Sequence, residues 1–207
     1  MKNLLLLVSV CALAFAGALA RAGEFKVDDE GFIRNWLYLP AIQLDDSAST
    51  HEEGSQKDFF NKEFFPKQKA CTPAEGEKVK IGNNEVAWKV VQLDNPLWEF
   101  EQQDNSMYVV VAYIVCEADI PNVNLSIGSD DSSLWVLNGT EVIRVYAGRG
   151  VEKDQDKSPA LTLKKGTNVL YGAVINGGGP GGCCARFVDK DGNAVKNVKI
   201  VLAPPKP

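Results

Sequence analysis

The sequence predicts an all-β protein, an antiparallel β-sandwich with a short helical or irregular insertion in its N-terminal half. Three observations support this prediction. Apolar and polar residues alternate along short segments of the C-terminal half, clusters of Gly, Asn, Asp and Pro separate these segments, and residues 107–116 form a nearly continuous apolar run. Alternation is typical of a half-buried strand, whereas the unbroken run indicates a strand that is buried on both faces.

The N-terminal half has the less regular pattern. Residues 32–42 predict a first strand, and residues 76–82 and 85–93 predict two more strands joined by a pair of asparagines. Residues 57–65 have an amphipathic pattern rich in phenylalanine, which predicts one or two helical turns. This phenylalanine-rich segment is the predicted insertion.

A hairpin on an Asn-Gly turn is the strongest local signal of the C-terminal half. Residues 133–137 and 142–145 are strand-like segments on either side of Asn138-Gly139. Asn-Gly is favoured there because a two-residue hairpin turn needs positive φ angles. Further strands are predicted at residues 123–127, 161–163, 168–175, 185–188 and 198–202. Short strands at this spacing favour a sandwich or barrel over βαβ units.

The first 22 residues are predicted to be a signal peptide. Residues 4–20 are apolar or small, and a small-x-small cleavage site stands before Gly23. We therefore expect export to an extracytoplasmic location, either periplasmic or secreted. Residues 23–203 then form one sandwich domain, and residues 204–207 form a proline-rich tail.

Charge and hydropathy exclude two classes of partner. The formal net charge is -5, and acidic and basic residues are interspersed. We find no basic stripe that would neutralise successive phosphates, so a nucleic acid is not expected as a partner. No segment after the leader is apolar enough to span a bilayer.

Four cysteines belong to the predicted mature chain, at Cys71, Cys116, Cys183 and Cys184. An even number in an exported protein predicts two disulfides. A bridge within the adjacent pair would close a small strained ring, so we expect Cys183 and Cys184 each to reach Cys71 or Cys116. The spacing does not match the paired CxxC pattern of zinc sites, which makes a thiolate metal site the weaker interpretation.

The sequence does not indicate catalysis. His51 is the single histidine, and the segment around it has no nucleophile motif of the G-x-S-x-G kind. A glycosidase needs two facing carboxyl groups, but with 27 acidic residues the presence of a pair carries little information. We therefore predict a non-catalytic protein.

Two segments resemble a known family. Residues 31–37, Gly-Phe-Ile-Arg-Asn-Trp-Leu, resemble the opening strand of galactose-binding-like jelly rolls, and residues 128–139, Gly-Ser-Asp-Asp-Ser-Ser-Leu-Trp-Val-Leu-Asn-Gly, resemble one of their hairpins. The chain is thus similar to the carbohydrate-binding-module-like domains of secreted bacterial proteins, most densely from Gly128 onward. The resemblance implies a jelly-roll sandwich that binds a ligand without transforming it, and such modules often hold one structural calcium ion.

A sugar site requires an exposed aromatic surface with polar groups beside it, because a pyranose ring has apolar faces and a rim of hydroxyls. Trp98 follows a turn signal and, with Trp88, is the candidate for that surface. Asn176, which opens a glycine-rich stretch, and Arg186 are the polar candidates. The glycine-rich stretch itself is interpreted either as a flexible loop pinned by the cysteines that follow it or as an edge that faces a ligand.

Two other tryptophans, Trp36 and Trp135, lie within strand patterns and are expected in the core.

Calcium is the one cofactor that the sequence suggests. Asp130, Asp131, Asp154 and Asp156 offer the hard oxygen ligands that calcium takes, although none of them belongs to a complete EF-hand loop. The competing interpretation gives these four carboxylates structural roles in turns and caps.

These observations lead to two functional hypotheses. The first is an exported, non-catalytic binding module for a carbohydrate or a glycan of the cell envelope. The alternative is a structural or assembly subunit that docks on another exported protein and has no small-molecule ligand. The cluster of phenylalanines between residues 59 and 65 favours the alternative if it is exposed, since exposed aromatic patches mark partner surfaces.

Overall fold

The computed structural model describes residues 23–204. The predicted signal peptide lies outside the described residues, as do residues 205–207 of the predicted tail. The described chain forms the α-helix α1 (Glu53–Asn61), 3-10 helices at Asp46–Thr50 and Gln68–Ala70, and fifteen strands. None of the helices between residues 23 and 204 is long and apolar enough to cross a membrane.

The strands are short except at the centre of the sandwich. They are β1 (Glu24–Lys26), β2 (Asn35–Gln43), β3 (Lys78–Ile81), β4 (Asn84–Ala87), β5 (Lys89–Gln92), β6 (Trp98–Glu99), β7 (Ser106–Cys116), β8 (Ile120–Asp130), β9 (Ser133–Leu137), β10 (Thr140–Val145), β11 (Asp156–Lys157), β12 (Leu161–Leu163), β13 (Gly166–Asn176), β14 (Gly182–Asp189) and β15 (Lys199–Val201).

Two antiparallel sheets and a separate hairpin make up the fold. The large sheet has the order β1-β15-β7-β13-β9-β10, with β2 also paired to β7 and β5 paired to β2. The small sheet has the order β11-β8-β14-β6, with β12 also paired to β8, and β3 pairs with β4 alone. The prediction of an all-β antiparallel sandwich is confirmed, and so is the hairpin on Asn138-Gly139, which joins β9 and β10.

The strands β7 and β13 form the longest ladder, which runs from Gly166 opposite Cys116 to Asn176 opposite Ser106. Nearly every residue of β7 is buried, because one face of the strand packs between the sheets and the other packs under the insertion. This double burial explains the unbroken apolar run in the sequence. Because β13 crosses the whole sandwich, its two buried asparagines, Asn168 and Asn176, lie at opposite ends of it.

The first core fills the space between the two sheets. Trp36 of β2 and Trp135 of β9 meet edge to face there, with ring centroids 6.2 Å apart. Both indoles are buried, so the prediction that these two tryptophans belong to the core is confirmed. Gly172 of β13 lies under Trp135, and a Cβ atom at that position would come within 2.7 Å of the indole ring. A side chain at residue 172 would therefore displace the tryptophan.

The second core lies on the outer face of the large sheet, under the insertion. Phe59, Phe60 and Phe65 are buried against this face, which also receives the hairpin β3–β4. The predicted helical turns are present as α1, which begins and ends a few residues earlier than the sequence pattern indicated. The phenylalanines are not an exposed partner surface, contrary to the hypothesis of a docking subunit, because they cover the apolar face of the sheet.

The expectation of two disulfides is wrong, because Cys71, Cys116, Cys183 and Cys184 are all free. Cys116 ends β7 at one end of the sandwich, whereas Cys183 pairs with Ser129 at the other end. Successive residues of a strand face opposite sides, so Cys183 and Cys184 diverge, and Cys71 belongs to the outer core. Burial raises the pKa of each thiol, to about 12 for Cys71 and about 11 for Cys184.

Candidate functional site

Two adjacent aspartates lie at the end of β8. Asp130 is the last residue of the strand, Asp131 follows it, and the peptide bond between them is cis. The carboxylate of Asp131 accepts hydrogen bonds from the backbone N–H groups of Arg149 and Gly177, each at 2.9 Å. The backbone N–H of Asp131 donates to the carbonyl of Ile175. These bonds fix the aspartate pair against the end of β13.

Asn176, the last residue of β13, is completely buried, and its chain neighbours Ile175 and Gly177 both hydrogen-bond to Asp131. Its Nδ2 donates to the backbone carbonyls of Gln103 and Gly179, both at 3.1 Å, and these two acceptors fix the orientation of the carboxamide. Its Oδ1 has no hydrogen-bond partner. A buried acceptor without a partner costs about 1–3 kcal/mol, so this oxygen is available to a ligand atom.

We refer to Asp130, Asp131, Asn176 and the glycine-rich segment 177–181 as the acidic end of the sandwich. The pKa of the Asp130 carboxyl group is raised to about 6, mainly by burial and also by the negative charge of Asp131. His51 works in the opposite direction and lowers this pKa. Two neighbouring carboxylates resist simultaneous ionisation, and a cation bound between them would relieve that repulsion.

His51 closes one side of the acidic end. It caps the 3-10 helix that precedes it, in a left-handed conformation with φ 54°. Its Nδ1 lies 3.9 Å from Oδ2 of Asp131. The imidazole fits between Gly148 and Gly177, since a Cβ atom at either glycine would come within 2.7 Å of the ring. The single histidine, which the sequence raised only as a catalytic candidate, is thus a neighbour of the carboxylate pair.

The glycine-rich segment forms the rim of the acidic end. It is hydrogen-bonded at three points to the segment 100–105: two of the bonds join backbone groups, and in the third the N–H of Gly179 donates to the carboxylate of Asp104 at 3.0 Å. The loop is therefore held by this neighbouring segment as well as by the strand that follows it. Because glycines carry no side chains, main-chain groups of the rim can approach a ligand closely.

Asp154 and Asp156, the other two predicted calcium ligands, are already paired with arginines. Asp154 bonds to the guanidinium of Arg186, and Asp156 bonds to that of Arg149. Burial acts to raise the pKa of Asp154, but the bonds from Arg186 and a serine hydroxyl outweigh it and leave the pKa lowered. The structure does not unite the four predicted carboxylates in one site, and residues 23–204 contain no cluster of three or more His, Cys, Asp or Glu side chains placed to hold a metal.

The aromatic candidates are less exposed than the sequence suggested. Trp88 is 2% exposed and packs edge-on against Phe65 in the outer core, so it offers no open platform for a sugar. Trp98 is 9% exposed, and what remains accessible of it lines a cleft at the side of the sandwich. Arg186 is engaged with Asp154, which leaves its guanidinium unavailable for a ligand at the acidic end.

The acidic end has oxygen atoms of the kinds that bind a hard cation. Calcium is bound in proteins by carboxylates and by carbonyl oxygens of amides, and Asp130, Asp131 and Asn176 supply both kinds. The buried and unpartnered Oδ1 of Asn176 is the observation that favours a bound ion there. The sequence singled out each of the three residues, but nothing in the local pattern places Asp131 against the end of β13. The hydrogen bonds of Asp131 to Ile175 and Gly177, on either side of Asn176, form only in the folded sandwich.

No protein-family model matches the sequence, and no curated protein matches it. Among solved structures, the PA14 domain of the MpAFP antifreeze protein is similar, with a TM-score of 0.42 and 10% identity over 89% of this chain and 95% of that chain. A subtype-switched epithelial adhesin A domain from Candida glabrata, in complex with beta-lactose, has a TM-score of 0.35 and 8% identity over 88% of this chain and 94% of that chain.

A β-glucosidase from Kluyveromyces marxianus, in complex with glucose, has a TM-score of 0.39 and 19% identity over 59% of this chain. The match covers only 16% of the length of the β-glucosidase chain.

Proposed function

We propose that this chain is an exported, non-catalytic binding module that takes a carbohydrate at the acidic end through a calcium ion. The observation that carries the proposal is the buried, unpartnered Oδ1 of Asn176. The chain neighbours of Asn176 hydrogen-bond to Asp131, which follows Asp130, the carboxyl group with the raised pKa. A bound cation would give this oxygen a partner and would neutralise the repulsion within the carboxylate pair.

The residues that would hold calcium are Asp130, Asp131 and Asn176. Calcium takes roughly six to eight oxygen ligands, which is more than these three side chains supply. Main-chain carbonyls of the glycine-rich rim, water and the hydroxyls of a ligand are the sources of the others. When bound, the ion supplies a positive charge at which neighbouring hydroxyls of a sugar coordinate. The protein side chains hold and position oxygen atoms, and we assign none of them a part in breaking a bond.

A carbohydrate suits this end better than an anion does. The formal net charge of the chain is -5, and the acidic end carries two carboxylates of its own, so an anionic ligand would meet repulsion before it reached the ion. Sugar hydroxyls are neutral hard oxygen donors and escape this repulsion. The glycine rim leaves space for a ring to lie close to the main chain.

The extracytoplasmic part of the proposal follows from the predicted leader. Residues 4–20 are apolar or small and are followed by a cleavage site, the arrangement that directs export. Calcium sites of modest affinity are typical of extracellular modules, so such a site suits an exported protein. Mass spectrometry of the protein from the culture medium and cell fractions tests this part, with a mature N-terminus at Gly23 as the expected result.

The binding proposal is tested by calcium titration followed by glycan-array binding, with calcium present or removed by EDTA. The wild type is expected to bind calcium and to retain a set of glycans only in its presence. Asp131→Asn is expected to lose both properties. Asp191→Asn is the matched control, because it makes the same chemical change at an exposed carboxylate remote from the site, and it is expected to behave as the wild type.

Two results would overturn the proposal. One is a wild-type protein that takes up calcium but retains no glycan on a broad array. The other is glycan binding that is equally strong in EDTA and in the Asp131→Asn variant, which would place the sugar away from the acidic end.

A further inference from the structure

A second concave site lies at the side of the sandwich. A cleft of about 260 Å³ is lined by residues of β2, β5, β6 and β7 and by the segment between β6 and β7. The cleft lies where the edge of the large sheet and the edge of the small sheet separate. The register of β2 against β7 shifts between Leu39 and Ile42, and the two residues inside this bulge, Pro40 and Ala41, line the cleft. Bulges at sheet edges re-aim side chains, and here the bulge opens the cleft.

The inner wall of the cleft is aromatic. Trp98 stands edge to face with Tyr38 at 5.3 Å and with Phe100 at 5.1 Å between ring centroids. Phe100 in turn stacks on Tyr108 at 4.2 Å. Trp98, Phe100 and Tyr108 are buried, and the hydroxyl of Tyr108 donates to the carbonyl of Glu101. The wall is thus locked by its own packing before any ligand arrives.

The outer rim of the cleft is polar. Lys89, Glu101 and Gln102 are exposed and line it, and Gln103 lines it from a half-buried position. This rim offers an ammonium, a carboxylate and carboxamide groups, so it contains both hydrogen-bond donors and acceptors. An apolar wall beside a rim of mixed donors and acceptors matches a pyranose ring, which has C–H groups on its face and hydroxyls around its edge.

The cleft shares a wall with the acidic end. The carbonyl of Gln103 accepts a hydrogen bond from Nδ2 of Asn176. The backbone N–H of Phe100 donates to the carbonyl of Gly181 at 2.8 Å. One side of the segment 100–105 therefore lines the cleft, while the other side holds the glycine-rich rim.

We propose that the cleft is a second carbohydrate subsite, which takes one pyranose ring of the glycan whose other ring is bound at the acidic end, and this proposal rests on the proposed function. The volume lies below the range of about 300–1,000 Å³ that is typical of drug-sized ligands, so the cleft suits a single ring. Glu101 is the only acidic residue in its lining and Lys89 lies in the same rim, so binding in the cleft needs no cation.

The experiment is NMR on the labelled protein, with the indole N–H of Trp98 as the reporter. Methyl β-D-glucopyranoside, methyl β-D-galactopyranoside and methyl α-D-mannopyranoside are titrated separately to millimolar concentration, first in EDTA and then in calcium. At least one of these sugars is expected to shift the Trp98 signal in EDTA. The same shift is expected in Asp131→Asn, which disables the acidic end but leaves the cleft intact.

Two variants locate the binding. Ala41→Trp places a large side chain in the cleft and is expected to abolish the Trp98 shift. The double variant Lys89→Ala/Gln102→Ala removes two exposed rim groups without touching the buried wall, and it is expected to weaken the sugar on the order of tenfold while leaving the thermal midpoint unchanged. Asp191→Asn again serves as the unaffected control.

The outcomes separate the two proposals. A Trp98 shift in EDTA without any calcium-dependent glycan binding overturns the proposed function and the shared glycan, and it leaves the cleft as an independent sugar site. Calcium-dependent binding without a Trp98 shift overturns the subsite and supports the proposed function. A shift produced by N-acetylphenylalaninamide but by none of the sugars also overturns the subsite, since the aromatic wall would then be a peptide site. If a disaccharide binds no more tightly than its monosaccharides in the presence of calcium, the cleft and the acidic end do not bind two rings of one glycan.

Discussion

Each end of β13 carries a buried asparagine, but the two carboxamides differ in their hydrogen bonding. Asn168 and Asn176 are both completely buried. At Asn168 the Nδ2 donates to the carbonyls of Lys164 and Ile114, and the Oδ1 accepts from the backbone N–H of Lys164 and from Nδ2 of Asn138. At Asn176 only the Nδ2 is bonded. A fully bonded buried carboxamide has a structural role, whereas one with a free acceptor can still bind a further atom.

The carboxylates of the two ends differ in the same way. Asp119, near Asn168, accepts hydrogen bonds from the backbone N–H of Lys165 and from the ammonium group of Lys164. These bonds lower the pKa of Asp119. Asp130, near Asn176, has burial and a second carboxylate around it, and its pKa is raised. One end is therefore electrostatically satisfied, and the other has a surplus of negative charge that a cation would balance.

Asn168→Ala is expected to have the largest effect on stability. It leaves two backbone carbonyls, one backbone N–H and the carboxamide of Asn138 without their partner, so the free energy of unfolding should fall by about 2–3 kcal/mol. Urea denaturation monitored by tryptophan fluorescence measures this change. Calcium affinity should stay at the wild-type value, and a loss of stability well below about 1 kcal/mol would contradict the architectural role.

Asn176→Ala is expected to reverse this pattern. Without calcium it frees two carbonyls but also removes an unpartnered buried oxygen, so the free energy of unfolding should change by no more than about 1 kcal/mol. Calcium affinity should fall on the order of tenfold or more, since one ligand is lost. Calorimetric titration with calcium measures the effect, and Asn168→Ala is its control. Unchanged calcium affinity in Asn176→Ala would show that the free acceptor is not a metal ligand.

Asp131→Asn tests the charge surplus directly. The pKa of Asp130 should fall from about 6 but remain above 3.8, because burial, the larger cause, persists. A raised pKa means that ionised Asp130 is disfavoured in the folded state, so the calcium-free wild type should gain stability as the pH falls through about 6 toward the unfolded pKa. The variant should gain less. Carboxyl NMR titration measures the pKa, and an unchanged value would exclude coupling within the pair.

Asp119→Asn is expected to have the smallest effect. Its side chain is exposed, and the ion pair with Lys164 is a surface pair, which contributes little. The asparagine can still accept the backbone hydrogen bond from Lys165. No resolvable shift in the urea midpoint or in calcium affinity is expected. A clear loss of either would show that Asp119 contributes to stability or to calcium binding despite its exposure.

The sequence revealed the elements of the fold because their signals are local. The alternation of residues 123–127 and the Asn-Gly turn at 138–139 depend on neighbours in the chain, and the structure confirms both as β8 and the hairpin β9–β10. The core positions of Trp36 and Trp135 also follow from strand patterns.

The site could not be assembled from local patterns, because its residues come from different strands. Asp131 meets the backbone N–H of Gly177 only after the ends of β8 and β13 come together, and His51 reaches Asp131 from the end of the 3-10 helix Asp46–Thr50. The low exposure of Trp98 has the same cause only in part. A turn signal before it predicts an exposed position, but Tyr38 packs against it from β2, and Phe100, two residues further along the chain, packs against it as well. The cysteine count predicted bridges that the positions of the thiols do not form.

The segment 44–88, which contains the insertion and the hairpin β3–β4, makes the large sheet the middle of three layers. Its phenylalanines and Trp88 cover a face on which β7 presents valine and tyrosine side chains. Any attempt to shorten this protein to a minimal two-sheet scaffold, or to graft its acidic end onto one, has to retain residues 44–88 or replace the side chains beneath them with polar ones. Otherwise the stripped face would lead the molecules to self-associate before a ligand could be offered.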